Sequence, residues 1–289
     1  MIKYAIPGVY FHHNLNFRLL DLMKNSPELF YPNISIEAAY GVFPWSIFDG
    51  GRIFPSNKHT TTEEIKDIAK TYSDFGVAVR LVCTNSQLKE HHYNDRFSNL
   101  MLEICNTKGN QVVVADEGLL NYIKDRYKNY EFISSTTKCL KKSDFVEELK
   151  KGFYSEVCLD YNLNTNLELL NSLSAEEREK CEFLCNAICP PSCPTRKYHY
   201  KLNSLYQIQY GRIYSVPYCG IDKNNISFST RNYSNNLSYN KIAEVYEPMG
   251  FQHFKLEGRT LPMEVQALIY SEYMALPQYK DELVSLLLA

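Results

Sequence analysis

Hydrophobic and polar positions along the chain switch between two periods. Short β-branched or apolar runs recur, and most are followed by a stretch with helical spacing. The first run covers residues 4–10, and residues 14–24 behind it place apolar side chains at helical intervals. The second covers 33–39 and is followed by an irregular stretch at 41–58 that holds the only Trp. A helix is predicted from Thr61 or Thr62 to Phe75. Two threonines and two glutamates supply its cap and acidic first turn, and Gly76 supplies its C′ residue. Further strands are predicted at 77–83, 111–115, 130–134, 156–160, 182–188 and 252–256. Helical patterns follow at 93–107, 117–128, from a Ser143–Asp144 cap, at 164–180 and at 262–287.

Eight strand–helix units predict an α/β fold, a single TIM-like (β/α)8 barrel spanning 1–289, with an open doubly wound sheet as runner-up. Its regularity is broken after strand seven by a cysteine- and aromatic-rich loop inserted at 189–235. The length suits a barrel of roughly 250 residues. No run approaches the ~18 apolar residues of a membrane span, and no export signal opens the chain, so a cytoplasmic, reducing setting is expected, without membrane association. A net charge of -2 argues against a sequence-independent nucleic-acid binder.

Nine cysteines in a reducing compartment are poor disulfide material. Four of them, Cys181, Cys185, Cys189 and Cys193, are spaced four apart, and Cys219 follows. Thiolates bind soft metals, and four fill a cubane iron–sulfur cluster. Prolines at 190, 191 and 194 keep the segment around Cys189 and Cys193 out of regular helix. A strand over 182–188 would put Cys185 and Cys189 on one side. Cys189, Cys193, Cys219 and Cys185 are therefore the candidate ligands of a [4Fe-4S] cluster, with zinc as the alternative and Cys181 in reserve. Cys83, Cys105, Cys139 and Cys158, each alone in its segment, are expected in the core.

The segment FKLEGR at 254–259 resembles the phe-lys-ile-glu-gly-arg signature of the collagenase-like U32 peptidase family. EFLCNAIC at 182–189 is similar to that family's glu-x-phe-x-x-gly-x-x-cys strand, with Asn186 where glycine is usual. CPPSCPTRKYHY at 189–200 resembles a shortened cys-x-x-x-cys-arg-x-x-tyr element, and SVPYC at 215–219 its ser-x-x-asp-leu-cys element. SSTT at 134–137 and EVCLDYNLN at 156–164 are similar to its fifth and sixth strand ends. The resemblance implies a barrel. It also implies kinship with members that carry a [4Fe-4S] cluster and hydroxylate RNA bases or ubiquinone precursors without molecular oxygen. The cysteine block is compressed relative to that pattern.

Glu257 and Arg259, flanking Gly258 at the end of strand eight, are the first catalytic candidates; Arg196 and His199, with Tyr200, follow Cys193. An arginine can clamp a carboxylate or phosphate. Asp160, Asn162 and Asn164 end strand six, and Asn164 is expected to cap the next helix. Glu37 and Asp116 end strands two and four as candidate acid/base groups. The pairs His12–His13 and His91–His92 are expected at the surface or in loops. No phosphate loop, HExxH or GxSxG is present. Three readings follow: an iron–sulfur hydroxylase of RNA or a small aromatic or anionic substrate, a peptidase or other hydrolase, and a non-catalytic subunit paired with a related barrel.

Overall fold

A computed structural model describes residues 1–52, 60–209 and 233–289. In chain order the elements are β1 (Ile2–Pro7), α1 (His13–Asn25), β2 (Ile34–Gly41), α2 (Thr62–Asp74), β3 (Ala78–Cys83), α3 (Arg96–Ile104), β4 (Gln111–Val114), α4 (Glu117–Arg126) and β5 (Glu131–Ser134). There follow α5 (Lys142–Leu149), β6 (Tyr154–Cys158), α6 (Leu167–Ser172), α7 (Ala175–Glu179), β7 (Cys181–Leu184), α8 (Arg196–Ile208), α9 (Tyr239–Lys241), β8 (His253–Lys255), α10 (Met263–Met274) and α11 (Lys280–Leu288). The strands pair in parallel in the order β1 to β8, and β8 pairs with β1 to close the barrel. The closed barrel replaces the open-sheet alternative. No described helix is long and apolar enough to cross a membrane.

The expected caps of α2 are in place: Thr61 accepts from the Glu64 N–H at 3.1 Å, and Gly76 takes φ +73°. Two long helical patterns divide. The 164–180 pattern breaks at Leu173, where Ser174 and Glu177 form a capping box that restarts the chain as α7. The 262–287 pattern breaks at Leu276, which precedes Pro277 and is extended; its N–H donates to the Leu29 carbonyl at 2.9 Å. Helix α5 begins at Lys142, so Ser143 and Asp144 lie in its first turn and do not cap it. Part of the stretch expected as an inserted loop at 189–235 is helix α8.

Outward-facing side chains build the shell between sheet and helices. Phe183 of β7 stacks on Phe254 of β8 at 5.6 Å between centroids and meets Phe251 and Tyr246 edge-on. Cys83, Cys105 and Cys158 are buried as expected.

The inward positions near the strand starts are charged, where such barrels usually carry branched aliphatics. Arg80 of β3 is 0% exposed. Its Nε donates to Gln111 Oε1 at 2.7 Å, and its Nη2 donates to the two Glu156 oxygens at 3.0 and 3.1 Å and approaches Glu37 at 3.5 Å. Its Nη1 pairs with Glu182, which Lys255 approaches at 3.6 Å. His253 Nδ1 lies 2.8 Å from Glu37 Oε2. Burial pushes the Glu156 carboxyl up to about 7, against the pull of Arg80. For His253 burial opposes the charged ring, but the hydrogen bond to Glu37 and the charge of Glu156 outweigh it and raise the pKa.

Two outcomes follow. Removing one partner from a buried ion pair strands the others, so Arg80→Ala is expected to lower unfolding free energy by about 3–5 kcal/mol in urea titrations. A folded-state pKa raised from 4.5 to about 7 means that the stability from Glu156 is complete below the unfolded value and is lost as pH rises through the folded one. His253 acts in the same direction. The urea midpoint of Glu156→Gln should therefore gain on wild type between about pH 5 and about pH 8. A difference that does not change with pH would refute the assignment.

Candidate active site at the barrel mouth

The C-terminal ends of the strands surround a cavity of about 60 Å³. Its floor is Lys255 of β8, whose ammonium lies 4.2 Å from the centroid of the Tyr40 ring and reaches down to Glu182. Tyr40 is pinned by its hydroxyl, which donates to the Leu256 carbonyl at 2.7 Å. The chain past β2 crosses the mouth at 42–52 and brings in Asp49, Gly51 and Arg52. Asn85, beyond β3, holds this crossing by donating to the Ile47 carbonyl at 2.8 Å and to the Ser204 carbonyl of α8 at 3.0 Å. Gln207 of α8 donates to the Ser46 carbonyl at 2.7 Å. A Cβ at Gly50 would sit 2.6 Å from the Asn85 Cα, so only glycine permits this approach.

Glu257 and Arg259 both line the mouth, as the sequence predicts, but they do not pair with each other. Arg52 forms an ion pair with Glu257, and Ile188 N–H donates to its other carboxylate oxygen at 2.8 Å. Arg259 Nη1 lies 3.1 Å from Asp49, and its guanidinium is 5.9 Å from the Tyr40 ring centroid. Burial raises the Asp49 carboxyl above its ordinary value, and Arg259 pulls it back down. Asn186 locks the end of β8 to the end of β7: its amide donates to the Glu257 carbonyl at 2.9 Å and its oxygen accepts from the Glu257 N–H at 2.6 Å. Thr84, Ser135, Thr136 and Thr137 add hydroxyls to the wall, and the buried Thr136 Oγ1 has no hydrogen-bond partner. Three cations, Arg52, Lys255 and Arg259, thus face the cavity with one carboxylate, Glu257.

The remaining candidates scatter. Arg196 is buried and held by Asp160, with its guanidinium 4.3 Å from the Tyr161 ring centroid. It lines a second cavity of about 410 Å³ beside the mouth, between the ends of β5, β6 and β7. Tyr200 faces the mouth, whereas His199 lines neither cavity. Asn164 does not cap α6; Asn166 does, and the buried Asn164 amide instead donates to the Leu184 and Asn235 carbonyls, each at 2.9 Å. Asp116 caps α4 at Leu119, 2.9 Å, while Glu37 sits with Arg80 and His253, so these two carboxylates share no partner. His12 lies in the turn before α1, as expected, but is buried there, with Nε2 3.2 Å from the Gly258 carbonyl; His91 is exposed. Arg52, Asp49 and Lys255 were missed. Arg52 and Asp49 belong to an irregular stretch without periodicity, and Lys255 was read only as part of a signature.

Strand β7 ends at Leu184, so strand alternation does not carry from Cys185 to Cys189. The Cys185 thiol is sealed in the main core, where burial drives its pKa well up. Cys189 instead packs on Tyr161, Leu184 and Ala187. Cys193 faces the second cavity, Cys181 is buried, and Cys219 lies outside the described residues. The expected four thiols therefore do not fit a [4Fe-4S] cluster as a set, because Cys185 faces away. Zinc, at about 2.3 Å from each sulfur, needs donors about 4 Å apart. Among the described residues the one trio of Cys, His or acidic donors within 4.8 Å is Glu37, Glu156 and His253, which holds no cysteine and already surrounds Arg80.

No protein-family model matches the chain, and no curated protein is significantly similar to it. Among solved structures, that of the U32 peptidase Mk0906 superimposes with a TM-score of 0.53 at 18% identity, covering 91% of this chain and 95% of that one. The chain thus has the fold of that peptidase.

Gly258 sits at φ +155°, and a Cβ there would fall 1.8 Å from Gln266 Oε1. Gly258→Ala should lower stability by about 1–3 kcal/mol, as backbone strain of this kind does. Adding Gln266→Ala should recover part of the loss in thermal melts; no recovery would place the strain in the backbone alone.

Proposed function

We propose that the chain is an enzyme that binds an anionic substrate in the barrel mouth, with Arg259, Arg52 and Lys255 holding the anionic group and Glu257 acting as the proton-transferring group. The observation that carries this reading is that three of the four charged side chains lining the cavity are cations, at the end where barrels of this class keep their active sites. The carboxylate partners of two of them, Asp49 and Glu182, are buried and not part of the lining. Thr84 and Thr136 offer hydroxyls that hydrogen-bond the same anion. Glu257 is held by Arg52 and the Ile188 N–H, which fixes its orientation toward a bound molecule.

Within the hydrolase and hydroxylase readings, this arrangement favours acid/base chemistry on a bound anion, and a peptide carboxylate or a small aromatic acid suits it equally. The test is a thermal-shift screen of carboxylic acids, short peptides and inorganic phosphate, followed by turnover assays on any binder. A ligand at 100 times its Kd should stabilise wild type by about 2.7 kcal/mol. Arg259→Lys, which keeps the charge but not the fork, should weaken that binding, and Glu257→Gln should slow turnover by about 10²–10⁴ while leaving binding near wild type. Unchanged binding in Arg259→Lys would remove the arginine from the site.

A second reading, an iron–sulfur enzyme with Cys189, Cys193 and Cys219 as ligands, is favoured by the place of Cys189. It packs on Leu184, which lines the mouth. A bound cluster supplies one-electron redox chemistry there, and RNA or a small anion then serves as substrate. Anaerobic purification with iron and sulfide analysis is the test. Matching iron and sulfide supports this reading, and a metal-free protein ends it.

A further inference from the structure

We infer that Lys255 is a nucleophile that forms an imine with a 2-oxo acid bound in the barrel mouth. This rests on the anion-binding reading of the mouth. It leaves the anionic group to Arg259 and Arg52 and gives Lys255 a covalent role. Lys255 is 6% exposed and lines the mouth cavity. Among the described residues its ammonium has no hydrogen bond. Glu182 lies 3.6 Å away, beyond hydrogen-bond reach, and the Tyr40 ring offers only its face. A buried charge without hydrogen bonds is costly, so a bound molecule is the partner this nitrogen lacks. Arg52 and Arg259, by contrast, are paired with Glu257 and Asp49.

Imine formation needs a base that frees the amine, and Glu182 is placed to be that base. One of its oxygens is taken by Arg80. The other, Oε2, is buried without a hydrogen-bond partner and is the one that faces Lys255. Burial opposes charge on Glu182, but Lys255 and Arg80 outweigh it and hold the carboxyl below its ordinary range, so it stands ionised. Glu182 takes a proton from the ammonium, and the freed lone pair bonds to the carbonyl carbon as the C=O π pair moves to oxygen. That oxygen takes a second proton from the nitrogen. It then leaves as water with the proton first given to Glu182, while the nitrogen lone pair closes the C=N bond. The single positive charge of the ammonium ends on the iminium, and no oxidant or reductant is consumed.

The setting selects the carbonyl compound. The Lys255 ammonium and the Arg259 guanidinium lie 4.2 and 5.9 Å from the centroid of one ring, that of Tyr40, which is fixed by its hydroxyl on the Leu256 carbonyl. Carbonyl and anion must therefore be close together in the substrate. A cavity of about 60 Å³ admits little besides that head. A 2-oxo acid has this form, its carboxylate adjoining its carbonyl. Thr136, whose buried hydroxyl has no partner, lines the same space and can donate to the carbonyl oxygen.

The experiment incubates wild type with glyoxylate or pyruvate, and separately with propionate, which lacks the second carbonyl. Sodium cyanoborohydride is added, and its hydride converts an imine to a stable secondary amine. The protein is then digested and its modified lysines are read by mass spectrometry. The expected result is an adduct at Lys255 with the oxo acids, formed ahead of any at exposed lysines such as Lys70 and Lys150, and none with propionate. An adduct confined to exposed lysines, or none at all, overturns the inference. Thermal melts with the same acids read binding without covalency. Stabilisation without an adduct at Lys255 defeats the inference alone and leaves the anion site standing. Neither stabilisation nor adduct defeats both. Lys255→Arg keeps the charge but forms no imine, so the folded variant should lose the adduct. The wild-type measurement decides the matter even where that variant does not fold.

Discussion

A guanidinium with no route to water sets the terms for this barrel. Arg80 is surrounded by groups from β2, β4, β6 and β7, and a histidine from β8 completes the set. Buried charge is tolerated only when it is paired and hydrogen-bonded, so each of these strands must present its acidic or amide side chain inward at the right height. A slip of one residue in any of them would turn that side chain toward the helices. The ionic layer therefore fixes register around the barrel where aliphatic packing alone would tolerate alternatives. Above it, Glu182 passes the constraint to Lys255, and Lys255 to Tyr40, so the floor of the mouth inherits its geometry from the layer below.

The mouth itself is assembled from distant parts of the chain. The crossing segment after β2 supplies Asp49 and Arg52, and the end of β8 supplies Glu257 and Arg259. The two ion pairs Arg52–Glu257 and Asp49–Arg259 stitch these segments together. Helix α8 holds the crossing from above through Asn203, Ser204 and Gln207. The flank cavity shares α8 with the mouth, since Arg196 and Tyr200 lie one turn apart on it and face the two cavities.

The barrel was legible because parallel strands covered by helices are nearly continuous apolar runs, as Val112–Val114 and Val79–Cys83 illustrate, and because Thr61 and Gly76 carry local chemistry that tertiary contacts do not override. Glu257 and Arg259 were legible through a short signature and their place after a strand. Arg80 was not, because one arginine inside an apolar run gives no sign of the partners that neutralise it from strands up to 102 residues away. Asn164 and Asn166 are equally good caps on paper, and only packing decides that Asn164 turns inward. Cys139, expected in the core like other isolated cysteines, is instead half-buried in a left-handed turn after β5, which spacing alone could not reveal. Cys185 looked like a ligand because four-residue spacing implies a shared face, an implication that ends where the strand ends.

The pairing of β8 with β1 joins Lys3 to His253 and Ala5 to Lys255. Contacts of such long sequence separation form late and slowly. Until they form, Glu37 lacks its histidine and neither stitch across the mouth exists. A barrel lacking its eighth strand would thus hold charges it cannot neutralise and no assembled site. Closure of the barrel and assembly of its mouth are consequently one event.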